Sequence, residues 1–212
     1  MANAGYYPGP ERRRQILDGA KKVFAARGYH DTNISHICDD LGIARGTLYQ
    51  YFASKRDVFA GIIDDLLERV RLAVASKPPL PSSFKVKPTR EEVIAYGAES
   101  LRRLLEAAFE DEASLRILVR EAVGLDVQMD AVLRAIDALV ADRVAEDLTT
   151  AQRAGLVRAD VDPHMAAMFL IGGIQKLALD VLGKQGGKID LDALAVTATR
   201  MNMTGILSDE VR

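Results

Sequence analysis

Between Arg45 and Lys55 the chain sets out a dense run of hydrogen-bond donors and aromatic rings: Arg45, Gly46, Thr47, Tyr49, Gln50, Tyr51 and Lys55. No nucleophile–base pair and no metal-ligand spacing lies among them, and the chemistry they suit is contact with a nucleic acid. A helix enters the major groove only when its outer face is small near the start and bears groups able to reach base edges or phosphates. At 100° per residue Leu48 and Phe52 are i, i+4 partners that must face the protein, so Gly46, Thr47 and Gln50 point outward, with Arg45, Tyr49 and Tyr51 on the flanks. Gly46 lets the backbone come close. Arg45 can fork onto guanine O6/N7 or clasp a phosphate, Thr47 and the tyrosine hydroxyls suit phosphates, and Gln50 suits adenine. Lys55, at the start of the following helix, adds cationic charge beside an N-terminal dipole that already favours phosphate. Asn33 and His36 complete the set of candidate DNA contacts; His36 points away from the apolar face of its helix and is equally readable as a plain surface histidine.

Other chemistries find little support. There is no Gly-rich phosphate loop after a strand, no Gly-x-Ser-x-Gly and no His-Glu-x-x-His, so an enzyme is not expected and neither is a cofactor. With Cys38 as the sole cysteine, an intramolecular disulfide and a multi-cysteine metal cluster are both excluded; it shares a face with Ile34, Ile37 and Leu41 and reads as core. His30 and His164 lack ligand spacing, so no metal is expected. The longest strictly apolar run, Met165 to Ile174, falls short of the ~20 residues that span a bilayer. The N-terminus has no charged start followed by an apolar core, and the expected location is the cytoplasm, without a membrane partner.

Net charge is −2 over 212 residues, but it is unevenly spread. Residues 1–60 carry nine Lys/Arg against six acids, leaving +3 there and −5 in the remainder. A small basic module joined to a mildly acidic one suits a protein whose head meets phosphates while its bulk does something else.

The elements that position these groups are all helical, so the fold class is all-α with nine helices. Ile16, Leu17, Ala20, Val23 and Phe24 form the stripe of a first helix that Gly28 ends. Asn33 caps a second, Gly42 makes the turn, and a third covers about residues 45–51. Ser54, with Asp57 three residues on, opens a fourth. Lys77 to Pro88 holds four of the seven prolines and breaks the helical pattern. Thr89 with Glu92 makes a capping box for a fifth helix. A sixth runs from about 112 to Gly124, a seventh from about 128 to Gly155, an eighth from Asp162-Pro163 to Gly183, and a ninth from near Asp190 to about Leu207. The expected organisation is a flexible arm at 1–10, a DNA-binding domain at 11–56 and a larger helical domain at 57–212, with the fourth helix (55–76) leading into it and a Pro-rich loop at 77–88. Arg12 to Arg14 read evenly as a mobile arm reaching the DNA backbone or as solubilising charge.

The run Asn33-Ile34-Ser35-His36-Ile37, the turn Leu41-Gly42-Ile43, and then Gly46-Thr47-Leu48-Tyr49-Gln50-Tyr51-Phe52 with Ser54-Lys55 resemble the helix-turn-helix signature of the TetR family of bacterial transcription regulators. The match is dense over about residues 12–56; beyond 90 it is one of layout, although Gly155 to Pro163 looks like the family's link between its last long helices. Ala44 departs from the pattern, since a Ser or Thr often begins the recognition helix there. The resemblance implies a homodimer binding a near-palindromic double-stranded DNA operator, most often a repressor released by a small-molecule effector, with 57–212 as the ligand-binding and dimerisation domain and the fourth helix as connector. A helical small-molecule-binding or scaffolding dimer with a non-functional head is the alternative.

In the second half, Met165 to Ile174 is apolar all around its helix, so two faces need burial. Gly172-Gly173 would let another helix approach, and with Met165 and Met201 these form the expected dimer interface. Phe109, Met129, Met168, Phe169 and Gln175 are the candidate ligand contacts. Arg116 and Arg120 suit an anionic ligand, but a solvated face paired with Glu112 is the simpler reading.

Overall fold

A computed structural model of the chain describes residues 9–76, 88–122, 124–183 and 189–206. The described residues form nine α-helices: α1 (Gly9–Arg27), α2 (Ile34–Leu41), α3 (Arg45–Tyr49), α4 (Lys55–Ala75), α5 (Arg90–Phe109), α6 (Glu112–Ile117), α7 (Val127–Arg153), α8 (Pro163–Gly183) and α9 (Leu191–Ile206). A single π-helical turn, Leu118–Ala122, continues α6 where a regular helix to Gly124 was expected.

The caps form as local chemistry dictates. Ser54 accepts from the N–H of Asp57 at 3.1 Å, and Thr89 and Glu92 make their reciprocal box. Asp162 accepts from the Met165 N–H at 2.8 Å, and Asp190 from that of Ala193 at 2.9 Å. Gly9 and Pro10 belong to the first turn of α1 rather than to a free arm, proline being well suited to a helix start. Residues 1–8 and all but the last residue of the 77–88 loop lie outside the described residues.

The chain divides into two compact units, Met1–Glu68 with Asp111–Asp130, and Arg69–Glu110 with Ala131–Arg212. The unit holding the helix-turn-helix is therefore larger than residues 11–56. Its core is Ile16, Leu17, Ala20 and Phe24 from α1, Ile37 from α2, Leu48 from α3, and Val58, Phe59, Ile62 and Ile63 from α4, with Ile117 from α6. Lys21 donates to Asp111 at 2.7 Å. Burial pushes the Asp111 carboxyl up, but the bonds from Lys21 and Ser114 outweigh it and hold the group at about 2.

In the second unit α5 lies close along α9, with Gly97 leaving no room for a side chain: a Cβ there would sit 2.9 Å from Thr199 Cγ2. Leu101 and Leu105 pack with Ala195, and Val93 and Ile94 with Leu156. α8 behaves differently. Ala167, Ala178 and Leu182 are buried, while Met165, Met168, Phe169, Leu177 and Leu179 are exposed. Taken over Pro163–Leu182 its mean hydropathy is 1.6, so by length and composition it meets the requirement for crossing a bilayer, which the shorter run ending at Ile174 did not. Lys176 and Asp180 nevertheless sit at exposed positions on it.

Candidate nucleic-acid interface

α2 and α3 are built from a small number of local bonds. The Asn33 side chain accepts from the His36 N–H at 3.0 Å, and the Asn33 N–H donates back to His36 Nδ1 at 3.3 Å, a capping box in which histidine takes the place of the usual Glu or Gln. Both residues are thus occupied in starting α2. At its other end Gly42 adopts φ +63, and the N–H groups of Gly42 and Ile43 close on the carbonyls of Asp39 and Cys38, which only a left-handed residue permits cheaply. Cys38 is buried, and burial, with Asp39 adding to it, pushes its thiol pKa up.

That turn delivers α3 with Leu48 fully buried and Phe52 nearly so. Arg45, Gly46, Tyr49 and Gln50 are exposed, and Thr47 and Tyr51 half-buried on the flanks. A Cβ at Gly46 would meet nothing within 4 Å, so its outer side is open. The α-helix stops at Tyr49, two residues earlier than the periodicity indicates, because the Tyr51 N–H turns to the Leu48 carbonyl at 3.0 Å. Ala44, the N-cap, is extended at φ −71, ψ 146 and gives no side-chain bond to the first turn.

Lys55 does not face outward as a phosphate ligand. Its ammonium donates to the carbonyls of Tyr29 and Thr32, each at 2.7 Å, and of His30 at 3.4 Å, which accounts for all three of its N–H groups. It also sits 4.2 Å from the centre of the Tyr29 ring, and burial lowers its pKa. Nor are Arg12 to Arg14 a mobile arm. They are turns of α1: Arg12 is buried and donates to Gln15 at 2.6 Å, and the Arg13 guanidinium stands 5.3 Å from the Phe52 ring. Arg12, Arg13 and Lys55 are thus engaged within the head, a role composition could not distinguish from phosphate binding. Thr32, buried and bonded through Oγ1 to the Gly28 carbonyl at 2.7 Å, escaped the sequence reading altogether; its place just before the Asn33 cap was the available signal.

The expected ligand contacts divide between the two units. Met129 is buried in the unit of the helix-turn-helix, whereas Phe109, Met168, Phe169 and Gln175 belong to the other. Phe109 packs on Leu101, Leu105 and Ala195; Gln175 donates to Asp137 at 2.6 Å. Phe169 is 85% exposed and shares an outer face, at i+4 and then i+3/i+4 spacing, with Met165, Gly172 and Gly173. It therefore groups with the expected interface residues, not with a pocket. Met201 is also exposed. Arg116 pairs with Glu112 at 2.7 Å, as the simpler reading had it.

Residues 16–62 match the family model for bacterial regulatory proteins of the tetR family. The chain is 28% identical over 202 residues to the uncharacterised HTH-type transcriptional regulator YdgC of Bacillus subtilis, covering 94% of each. It is also 28% identical to the HTH-type transcriptional repressor KstR2 of Rhodococcus jostii, over 87% of this chain and 91% of the relative. Among solved structures, the transcriptional regulator FadR of Bacillus subtilis in complex with stearoyl-CoA shares the fold at a TM-score of 0.68 and 23% identity, covering 91% of this chain and 98% of that one. With a capped α2, a left-handed glycine turn and a donor-lined α3 in place, residues 16–62 form a helix-turn-helix that matches the tetR-family model, and the chain as a whole is similar to HTH-type transcriptional regulators.

Proposed function

We propose that the chain is a ligand-responsive repressor that binds a near-palindromic operator as a homodimer in the cytoplasm and leaves it when a small hydrophobic or acyl-type effector binds. The observation that carries the DNA half of this reading is α3 with the turn that follows it, where Leu48 and Phe52 are buried while Arg45, Gly46, Tyr49 and Gln50 are exposed. Arg45 and Gln50 read base edges, Gly46 admits the backbone, and Thr47, Tyr49 and Tyr51 hold phosphates. Asn33 and His36 act at most through the start of α2, since each already caps the other.

The dimer half rests on α8. Met165, Phe169, Gly172 and Gly173 present an apolar, partly side-chain-free surface on which a second α8 can lie closely, with α9 and Met201 beside it. The acyl class of effector is supported by the apolar character of the second unit and by the ligand of the related FadR fold. Phe109, Met168 and Gln175 remain its candidate contacts.

A duplex selected from a random library by the purified chain tests the reading. Affinity for it should exceed that for random DNA by about 10³ or more at physiological salt. Arg45→Ala should cost about 1–3 kcal/mol and relax base choice at one position in each half-site. Equal affinity for selected and random duplexes would overturn the operator reading; a shift that no acyl-CoA or other metabolite in a panel reverses would overturn the effector.

A further inference from the structure

Adjacent residues on the first turn of α4 hold two different segments. Lys55 grips the carbonyls of Tyr29, His30 and Thr32. Arg56 takes Asp126 in a bidentate pair, Nε to Oδ2 at 2.7 Å and Nη2 to Oδ1 at 3.1 Å. Tyr29 stands between them, its ring against Lys55 and its N–H donating to Glu121 Oε2 at 3.3 Å. Glu121 lies on the π-helical turn, so close to Gly28 that a Cβ there would be 3.3 Å from its Oε1. The Lys55–Thr32 bond has a further property: it closes a loop that contains the whole of α2, the turn and α3, with Thr32 immediately before the Asn33 cap and Lys55 just after Ser54. The orientation of the recognition helix is thus pinned at both ends of that loop, and the pin is braced by two acids from beyond α6.

We propose that Lys55, Arg56, Glu121 and Asp126 are positioning residues for DNA recognition, fixing the α2–α3 loop through a ring of charged contacts while touching no DNA. The proposal rests on the operator-binding reading. It carries an unusual sign. Removing an acid from a DNA-binding head relieves repulsion from phosphates and by charge alone should tighten binding. Removing a positioning acid loosens it.

The test measures the full chain against the selected duplex by fluorescence anisotropy across a salt series, well below each variant's melting temperature. Asp126→Asn, and Glu121→Gln as a second variant, should each weaken operator binding by about two- to tenfold, with random-duplex binding little changed. Asp40→Asn, at an exposed position on α2, should bind as tightly as the wild type or more so. Lys55→Met should lose affinity at an unchanged salt slope, with Lys55→Arg recovering part of the loss. Operator binding by Asp126→Asn and Glu121→Gln that equals or exceeds the wild type would overturn the proposal. So would a fall in the slope of Lys55→Met by ~0.9, the signature of one lost phosphate contact. A wild type that does not distinguish the selected duplex removes the operator reading, and the proposal with it.

Discussion

α3 and α8 both leave part of their surface unmatched, in opposite senses. α3 is five residues long and seats itself in the head chiefly through Leu48, leaving an arginine, a tyrosine and the glutamine of its C-cap in solvent. α8 is twenty-one residues long and leaves two methionines, a phenylalanine and two leucines there, with a pair of bare glycines among them. A surface of hydrogen-bond donors loses nothing by waiting in water and, on the proposed reading, is completed by a polyanion; an apolar one is costly until covered and, on that reading, is completed by its own copy. The first kind of association should weaken steeply with salt, the second hardly at all. The two should also be separable by mutation.

The largest effect is expected where the shorter helix has least to lose. Leu48→Ala removes the side chain that anchors α3, and a fully buried leucine lost to alanine costs about 2–5 kcal/mol. Urea unfolding followed by circular dichroism should show that loss, and operator binding should fall with it. Sedimentation should still find the wild-type oligomer, because α8 is untouched. A variant that also falls apart into monomers would break the comparison.

Phe169→Asp makes the converse cut. Burial of a phenylalanine is worth about 1.5–3 kcal/mol, and a two-fold interface counts it twice, so dimer dissociation should strengthen by about a hundredfold or more. Sedimentation over a dilution series reads this directly. Binding to a single half-site should survive, while the cooperative affinity for a full operator is lost. An unchanged oligomer would remove Phe169 from the interface.

The same contrast explains what was legible in the sequence. α2, the Gly42 turn and α3 are local objects: Asn33, Gly42, Leu48 and Phe52 declare themselves by spacing, and each fell where the pattern put it. Lys55 is a different case. Its partners are carbonyls 23 to 26 residues upstream, and no periodicity reveals a backbone oxygen, so a lysine at a helix start looked like a phosphate ligand. Arg13 is a similar case, since its guanidinium stands by the ring of Phe52, far along the chain. The π-helical turn leaves no mark in composition, and Met129 looked like its companions in the ligand set because apolarity does not say which core a residue joins.

The smallest effect concerns Ala44 and the balance between holding a helix and offering it. Its backbone already has the extended geometry of an N-cap, with the Thr47 N–H reaching its carbonyl at 3.0 Å, so only the side-chain acceptor is lacking. Ala44→Ser supplies one without moving the chain, and such a cap is worth about 0.5–2 kcal/mol, with the low end expected for a helix of one turn and a half. The urea midpoint should rise modestly. DNA binding distinguishes what the cap would be for. If α3 is held firmly enough by Leu48 and the Lys55 closure, affinity should stay within about twofold, a few tenths of a kcal/mol. A gain well beyond the stability increment would instead mean that the serine hydroxyl itself reaches a phosphate, and the salt slope would then steepen by ~0.9 only if a charged contact were recruited with it. A serine that lowers the midpoint would show that the extended backbone at Ala44 is held by something other than an unfilled cap.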